Sequence, residues 1–475
     1  MGVATALFDK PIGTATGYGM AKCLMAVLAL AASACSSLPV LVPDMARAPA
    51  RTIQLEGAHG MLTARRSTEV LDRLKHGSEE TSIFDRHLAE EQAIAGSPLT
   101  VGNKVHLLQD GPDTYAYMFA AIRDAKNHIH METYIIEDDE TGNHFATALI
   151  EKQRQGVQVR LVYDSVGSIN TPAAFFQRLT DSGIKVLEFN PINPLTAGTD
   201  WEVNQRDHRK LLIVDGRIAF LGGINISSVY SGGSSRKRSA QPRQKTTAWR
   251  DTHLQVEGPV VGEFQKLFLA TWESQSGEAI ASDNHYPRLA NVGNEVVRGI
   301  GSSPDEPFSL IYATLISAIR SAETSICLTN AYFVPDPQLL EALKDTVLRK
   351  VDVKLLLPGK TDSWLVLHAG HSYYTELLEA GVKIYERRNV LLHSKTALVD
   401  GVWSTIGSTN LDWRSFLHNH EINAVILGQE FGTGMQAMFD RDITDSDPVT
   451  LEKWKRRPLV ERLKETVARL WQYWL

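Results

Sequence analysis

The sequence predicts an α/β protein made of two homologous halves. Three observations carry that expectation: strands alternate with helices, the order of elements recurs once, and the same short motif appears in each copy. At 475 residues the chain exceeds one ordinary core, and two domains is the natural division. A composition of 43% apolar and 22% charged residues is that of a globular protein. The formal net charge of −6 argues against a nucleic-acid partner, which usually demands a basic face.

Near the N-terminus Lys22 precedes an apolar stretch, Leu24 to Ala34, that ends at Cys35-Ser36-Ser37. Eleven residues are too few to cross a bilayer as a helix. They fit the apolar region of an export signal, with Ala32-Ser33-Ala34 as the small-residue cleavage site. A cysteine directly after such a site resembles a bacterial lipoprotein signal, in which Cys35 carries the lipid. Ordinary secretion and a buried helix are the alternatives, and a start at Met20 would give a tighter signal. Residues 1–35 are therefore expected to be an export signal that leaves the protein lipid-anchored and periplasm-facing, with peripheral attachment at the inner membrane as the other placement. No other segment approaches transmembrane length, and the cysteines (Cys23, Cys35, Cys327) imply no disulfide framework. Cys327 reads as a small buried hydrophobe.

Residues 36–100 form an N-terminal extension with a helical stretch around Ser67 to Glu91 and no chemical motif. The repeat starts next, in a first domain over 101–275. Strand Val105 to Leu108, helix Asp113 to Asn127 and strand His128 to Ile136 match strand Glu295 to Ile300, helix Pro304 to Glu323 and strand Thr324 to Val334 in a second domain over 295–475. Each copy then gives a helix and an apolar strand (Val157 to Val162; Val351 to Leu357), followed by Gly183 to Leu187 or Gly381 to Tyr385. The polar, aperiodic residues 276–294 are the linker.

The halves converge on one motif: His208-Arg209-Lys210 running to Asp215-Gly216, and His393-Ser394-Lys395 running to Asp400-Gly401. Residues i and i+2 share a strand face, so histidine and lysine are expected to point together. Asp-Gly signals a hairpin turn at the far end, which makes Asp215 and Asp400 structural. The return strands end in Gly222-Gly223-Ile224-Asn225 and Gly407-Ser408-Thr409-Asn410, bringing Asn225 and Asn410 back to the histidine end. A neutral imidazole attacks or relays a proton, and lysine presents a compact cation to a phosphate oxygen. Asp251 and Glu421 each offer a carboxylate to fix an imidazole tautomer. A lone His-x-Lys string arises by chance; here it occurs twice, with asparagine at the same +17 offset (208 to 225; 393 to 410).

These residues identify the chain as resembling the phospholipase D superfamily and, within it, the bacterial cardiolipin synthases. The resemblance runs over roughly residues 100–475 and includes Asp207-His208-Arg209-Lys210, Trp249-Arg250-Asp251, Tyr332-Phe333-Val334-Pro335, Gly407-Ser408-Thr409-Asn410-Leu411-Asp412, Arg414-Ser415-Phe416 and Asn419-His420-Glu421. It implies two phospholipase D-like α/β domains related by a pseudo-two-fold axis, with the active site at their interface. It further implies His208 as nucleophile, forming a phosphohistidine, and His393 as general acid, with Lys210, Lys395, Asn225 and Asn410 around the phosphate oxygens. No metal or cofactor is called for. The implied partners are phospholipids (phosphatidylglycerol, with phosphatidylethanolamine as another donor) at a membrane surface, and the oligomeric state is open. The acceptor alcohol is open too: the glycerol of phosphatidylglycerol would give cardiolipin, whereas water would make the protein a phospholipase. A nucleic-acid phosphodiesterase and a non-catalytic lipid-binding protein are the remaining rivals. Many such enzymes carry two transmembrane helices at the N-terminus, where this chain has the export signal.

Other features compete less well. His128 with His130, and His368 with His371, are weak metal-ligand candidates without a completing carboxylate or cysteine. The basic stretch Ser231 to Ala248 reads as a loop beside the site, facing anionic headgroups or simply solvated. Leu459, Leu463, Val467, Leu470, Trp471 and Trp474 recur at helical spacing, and packing against the core is the expected use, with membrane-interface binding the alternative.

Overall fold

The computed structural model describes residues 41–42, 53, 55–76, 83–84, 87–193, 202–234, 248–276, 280 and 285–475. The expected export signal (1–35) with the candidate attachment residue Cys35, most of the basic loop (235–247) and part of the expected linker (277–279 and 281–284) lie outside the described residues.

Each half builds the same sheet. In the first, β1 (Leu99–Gln109), α1 (Asp110–Asp124), β2 (His128–Thr133), α2 (Glu140–Arg154), β3 (Gln158–Asp164), α3 (Ala173–Asp181) and β4 (Lys185–Phe189) come in turn. They are followed by β5 (Lys210–Val214), β6 (Ile218–Gly222), β7 (Thr252–Glu257) and α4 (Val261–Ser276). The strands lie in the order β4-β3-β2-β5-β6-β7-β1. β2, β3 and β4 are parallel because helices cross between them, whereas the hairpin strands are antiparallel.

The second half repeats this with β8 (Glu295–Ser302), α5 (Leu310–Ser321), β9 (Ser325–Asn330), α6 (Pro337–Leu348), β10 (Asp352–Pro358), α7 (Trp364–His371), α8 (Tyr374–Ala380) and β11 (Lys383–Arg387). It continues through β12 (Lys395–Val399), β13 (Trp403–Gly407), α9 (Trp413–Leu417), β14 (Asn419–Leu427), α10 (Gln429–Thr444), β15 (Ser446–Val449) and α11 (Leu459–Arg469). Its order, β11-β10-β9-β12-β13-β14-β8, is that of the first half, with β15 added at the β11 edge. Equivalent strands β1 and β8 pair antiparallel and join the two sheets. One apolar core crosses between the halves: Leu211, Ile213 and Leu221 share it with Leu398, Ile406 and Ile422.

Both helices that follow the second strand of a half start on a capping aspartate. Asp139 accepts from Gly142 N at the start of α2, and Asp336 accepts from Gln338 N and Leu339 N at the start of α6, as N-caps do. The strands expected over His128 to Ile136 and Thr324 to Val334 end earlier: β2 stops at Thr133 and β9 at Asn330, so Tyr134 and Tyr332 leave the sheet.

The expected stretch Ser67 to Glu91 is two helices, Ala64–His76 and His87–Ala95. The second packs against the other half through a buried ion pair. Glu91 lies 3.1 Å from Arg298 on β8 and 3.1 Å from His87, and accepts from the Trp403 indole at 3.4 Å. Burial pushes this carboxyl up, but Arg298, His87 and Trp403 together hold it below the usual range. Replacing Glu91 with alanine strands a buried guanidinium, so chemical denaturation followed by tryptophan fluorescence should register a loss of about 3–5 kcal/mol.

The last helix corrects the expectation that its apolar stripe packs on the core. α11 buries Glu465 and Ala468 and turns Leu459, Leu463 and Leu470 outward. The physical reason is polar: Glu465 takes a fork of two 2.7 Å bonds from Arg457, and Glu461 lies 3.4 Å from His368 on α7.

Candidate active site

The two motif hairpins set the floor of the site. Asp215 and Gly216 (φ 54° and 61°) and Asp400 and Gly401 (φ 51° and 67°) both take left-handed conformations, the tight turn their sequence signals. Asp215 accepts from the N–H groups of Lys126, Asn127 and His128 at 2.7–3.0 Å, and Asp400 accepts from those of Glu323, Thr324 and Ser325. Both aspartates therefore tie the turn to the start of the neighbouring strand, at the end of the hairpin opposite the lysines.

The histidines are not strand residues. β5 and β12 begin at Lys210 and Lys395, and His208 and His393 stand two positions ahead in extended segments held by the opposite half. Residues Arg206–Asp207 pair in parallel with Asn419–His420, and Leu391–Leu392 pair in parallel with Trp249–Arg250. These ladders continue as His208 N donating to His420 O (3.0 Å) and His393 N donating to Arg250 O (2.8 Å). The two exchanges are reciprocal, as a pseudo-two-fold axis requires.

The exchange decides which carboxylate serves which histidine. His208 Nδ1 donates to both oxygens of Glu421, at 3.0 and 3.1 Å, and His393 Nδ1 donates to Asp251 Oδ2 at 2.8 Å. Each imidazole is thus braced by the other half's carboxylate, which leaves Nε2 as the basic nitrogen of each. Glu421 is itself fixed by Ser408 Oγ at 2.5 Å and Asn419 Nδ2 at 3.3 Å. Burial raises the Glu421 carboxyl, but His208, Lys210 and Ser408 bring it down to about 2. Burial also lowers His208, to about 4, against the pull of Glu421, and lowers His393 against that of Asp251. At neutral pH the His208 pair is a carboxylate beside a neutral imidazole.

Both histidines line one cavity of about 340 Å³, together with Asn225 and Asn410. Lys210, Lys395, Asp251 and Glu421 are buried behind them. Each lysine donates to the carbonyl of its own motif histidine, Lys210 to His208 O at 2.5 Å and Lys395 to His393 O at 2.6 Å. Burial lowers the ammoniums to about 7 for Lys210 and about 8 for Lys395. The sequence motif therefore assembles in full, with the lysines one layer deeper than a shared strand face suggests.

Sequence reasoning missed Tyr230, Tyr134 and Asp362 as site residues, and named Trp249, Tyr332 and Arg414 only within family motifs, without a role. Tyr230 accepts from Asn225 Nδ2 at 3.0 Å, and its hydroxyl stands 3.4 Å from His393 Nδ1. The signal was available as an asymmetry: Tyr230 follows Asn225 by five residues where Ser415 follows Asn410, and Ser415 Oγ only accepts from Asn410 N. Trp249 and Tyr332 also face His393, with ring centroids at 5.2 and 6.3 Å, while Tyr134 faces His208 at 5.0 Å. Asp362 accepts from the Tyr332 hydroxyl at 2.6 Å, and Arg414 adds a guanidinium to the lining. The weak metal-ligand candidates have other partners: Asn127, Gln265 and Arg160 engage the His128 and His130 nitrogens, and His371 contacts Glu386. Among the described residues no group of three or more potential ligands is placed to hold a metal ion.

Fold and site together define a phosphodiester-transfer enzyme in which two similar halves each contribute a histidine. The profile of the family described as "Cardiolipin synthase, PLD-like domain" matches residues 118–231 and 315–443, and the chain belongs to that family. It is 37% identical over 406 residues to a cardiolipin synthase of Geobacillus sp. (strain WCH70), covering 83% of this chain and 78% of that one. It is 35% identical over 423 residues to a cardiolipin synthase of Alkalihalophilus pseudofirmus, covering 88% and 81%. The fold is also that of a phosphatidylserine synthase of Haemophilus influenzae Rd KW20, with a TM-score of 0.58 at 14% identity over 82% of this chain and 100% of that one.

Proposed function

We propose that the protein transfers a phosphatidyl group from one phosphatidylglycerol to the glycerol headgroup of another, forming cardiolipin. The observation that carries this reading is the pair of carboxylate-braced histidines in one cavity of a chain from the cardiolipin synthase family. Neutral His208 attacks phosphorus through Nε2, and the P–O bond to the departing glycerol breaks. Protonated His393 gives its proton to that oxygen. His393 then takes a proton from the incoming hydroxyl, whose oxygen attacks phosphorus and releases His208. The phosphodiester anion raises the histidine and lysine pKa values when it binds, which favours a protonated His393 at the moment it is needed. The lysines supply positive charge from behind, and the asparagine amides complete the cradle.

The test incubates the protein with phosphatidylglycerol vesicles, with and without phosphatidylethanolamine, and resolves the lipids by mass spectrometry. Cardiolipin with released glycerol supports the reading. Released ethanolamine would assign phosphatidylethanolamine as donor. Phosphatidic acid alone would make water the acceptor, and no lipid turnover would reject the substrate class and move attention to nucleic acid.

Lys210 and Lys395 give the reaction a pH dependence. As pH rises through about 7 and about 8 these ammoniums lose their charge in the free enzyme, so anion binding weakens on the alkaline side. The KM for phosphatidylglycerol, measured from about pH 6 to about pH 9.5, should rise over that window. A flat profile would remove the lysines from substrate binding.

We also propose that the protein works at a membrane surface, exported and anchored through a lipid on Cys35. The apolar stretch before that cysteine supports this. No helix among the described residues is long and apolar enough to cross a membrane. Radiolabelled palmitate incorporation that disappears with Cys35→Ser would be the expected result.

A further inference from the structure

We propose that α11 and the turn after it form an interfacial docking surface that seats the cavity mouth on an anionic lipid bilayer. The inference rests on the lipid-transfer reading above and specifies how the substrate surface is recognised.

The starting observation is a helix that packs the wrong way round for a soluble protein. Leu459, Leu463, Leu470 and Trp474 are 78%, 64%, 72% and 66% exposed, and Val467 and Trp471 lie on the same stripe. The face turned inward carries Glu465 and Ala468 instead. Polar contacts hold that arrangement. Arg457 forks onto Glu465, Glu461 meets His368, Arg469 lies 4.6 Å over the Tyr373 ring, and the Tyr373 hydroxyl bonds Gln472. With its inner face engaged in this way, the helix presents its apolar stripe to the surroundings as a built surface. A stripe of that size in contact with water marks a site of association.

Three further observations choose a bilayer as the occupant. The stripe runs into the active site: Trp474 and Leu475 line the cavity that holds both histidines, and Leu475 O accepts from Arg414 N at 2.8 Å. The apolar rim continues around the mouth. Trp364, half exposed, opens α7 next to the lining residues Asp362 and Ser363. Ile169, exposed as well, stands in the loop after β3 whose Ser168 donates to Tyr134 O at 3.2 Å. Finally, residues 451–475 carry seven lysines and arginines against three glutamates, in a chain whose net charge is −6. An amphipathic helix preceded by a basic segment (Lys453, Lys455, Arg456 and Arg457), with tryptophans at its apolar edge, suits an anionic headgroup layer, where aliphatic side chains enter the acyl boundary and indoles sit at the polar level. A lipid whose phosphodiester must reach the cavity then has a short path from the bilayer to the histidines.

The test uses the full chain carrying Cys35→Ser, so that no lipid is attached there. Sedimentation with phosphatidylglycerol vesicles should capture it, with much less capture by phosphatidylcholine vesicles. The double variant Leu463→Glu/Leu470→Glu should bind phosphatidylglycerol vesicles about a hundredfold more weakly, since two buried leucines are replaced by charges. Its transfer rate on dihexanoyl-phosphatidylglycerol dispersed as monomers should stay close to that of the parent while its rate on vesicles falls. Tryptophan emission of the unsubstituted chain should be quenched by phosphatidylglycerol brominated in its acyl chains, a readout that requires no variant. Unchanged vesicle binding by the double variant, or no quenching, overturns the proposal. So does light scattering that finds a dimeric parent and a monomeric variant, which would assign the face to a second copy of the chain. Binding and quenching are read without turnover, so failure of the transfer reaction and failure of this surface are separate results.

Discussion

Replacing His208 with alanine should lower phosphatidyl transfer by roughly 10⁴-fold or more, and no covalent phosphatidyl-enzyme should form. The reason lies in bond order rather than binding. Asp251, Glu421 and both lysines remain in the variant, but no nitrogen is left to form the bond to phosphorus on that side of the cavity. His393→Ala should behave differently. It removes the proton donor for the departing glycerol and the base for the incoming one, each a general acid–base contribution of about 10²–10⁴-fold. His208 Nε2 remains, so the bond to phosphorus still forms slowly, and its breakdown is slowed as well. Acyl-labelled phosphatidylglycerol should therefore label the His393→Ala protein through an acid-labile bond and leave the His208→Ala protein unlabelled. Label on the opposite variant would exchange the two roles, and label on neither would reject the phosphohistidine. The structure provides grounds for unequal roles: Tyr230, Trp249 and Tyr332 surround His393, whereas Tyr134 faces His208.

Much of this site was legible because its parts are local. His208 and Lys210, the turn at Asp215 and the return to Asn225 form one hairpin, and a hairpin states its own geometry in alternation and an Asp-Gly pair. Duplication supplied an internal control, since the second hairpin had to make sense in the same way. The halves' common strand order follows from the same repeated pattern. What was not legible depends on contacts that no local pattern encodes. Glu421 and His208 are 213 residues apart and Asp251 and His393 are 142 apart, so sequence offered two carboxylates without saying which histidine each would meet. The expectation that the histidines stand on the motif strands missed by two residues, because the strands begin at Lys210 and Lys395 and the chain just before each histidine pairs with the other half. Likewise, the spacing of Leu459, Leu463 and Leu470 defined an apolar stripe correctly. It could not say that Glu465 would take the inner position, a choice made by Arg457 and by His368 on a distant helix. Amphipathic pattern fixes the existence of a face, and long-range polar contacts fix its direction.

The crossed carboxylates carry the second large expected effect. Glu421→Gln keeps the shape but removes the charge that holds Nδ1–H of His208 and stabilises the imidazole as it gains positive character on attack. An amide there can also accept from or donate to the ring, so the wrong tautomer becomes available, a change that lowers kcat by about 10⁴-fold in a comparable carboxylate–histidine pair. The expected result is a loss of about 10²–10⁴-fold, and it should fall on formation of the covalent adduct because Glu421 serves the nucleophile. Asp251→Asn should lose activity on a similar scale through His393, and it should still accumulate adduct, as His393→Ala does. A double-mutant cycle separates this arrangement from one in which each half serves itself. His208→Ala combined with Glu421→Gln should cost little more than His208→Ala alone, because the carboxylate acts only through that imidazole. His208→Ala combined with Asp251→Asn should retain nothing that either partner alone supplied. Residual turnover reads the cycle, because His208→Ala forms no adduct, and single-turnover labelling of the Glu421→Gln and Asp251→Asn single variants separates the two chemical steps. If adduct formation instead depended on Asp251 and was indifferent to Glu421, the pairing across the halves would not be the one that operates during turnover. If it follows Glu421, neither half can be catalytic by itself, and the strand exchange at Arg206–Asp207 and Leu391–Leu392 is what makes the duplicated chain a single enzyme.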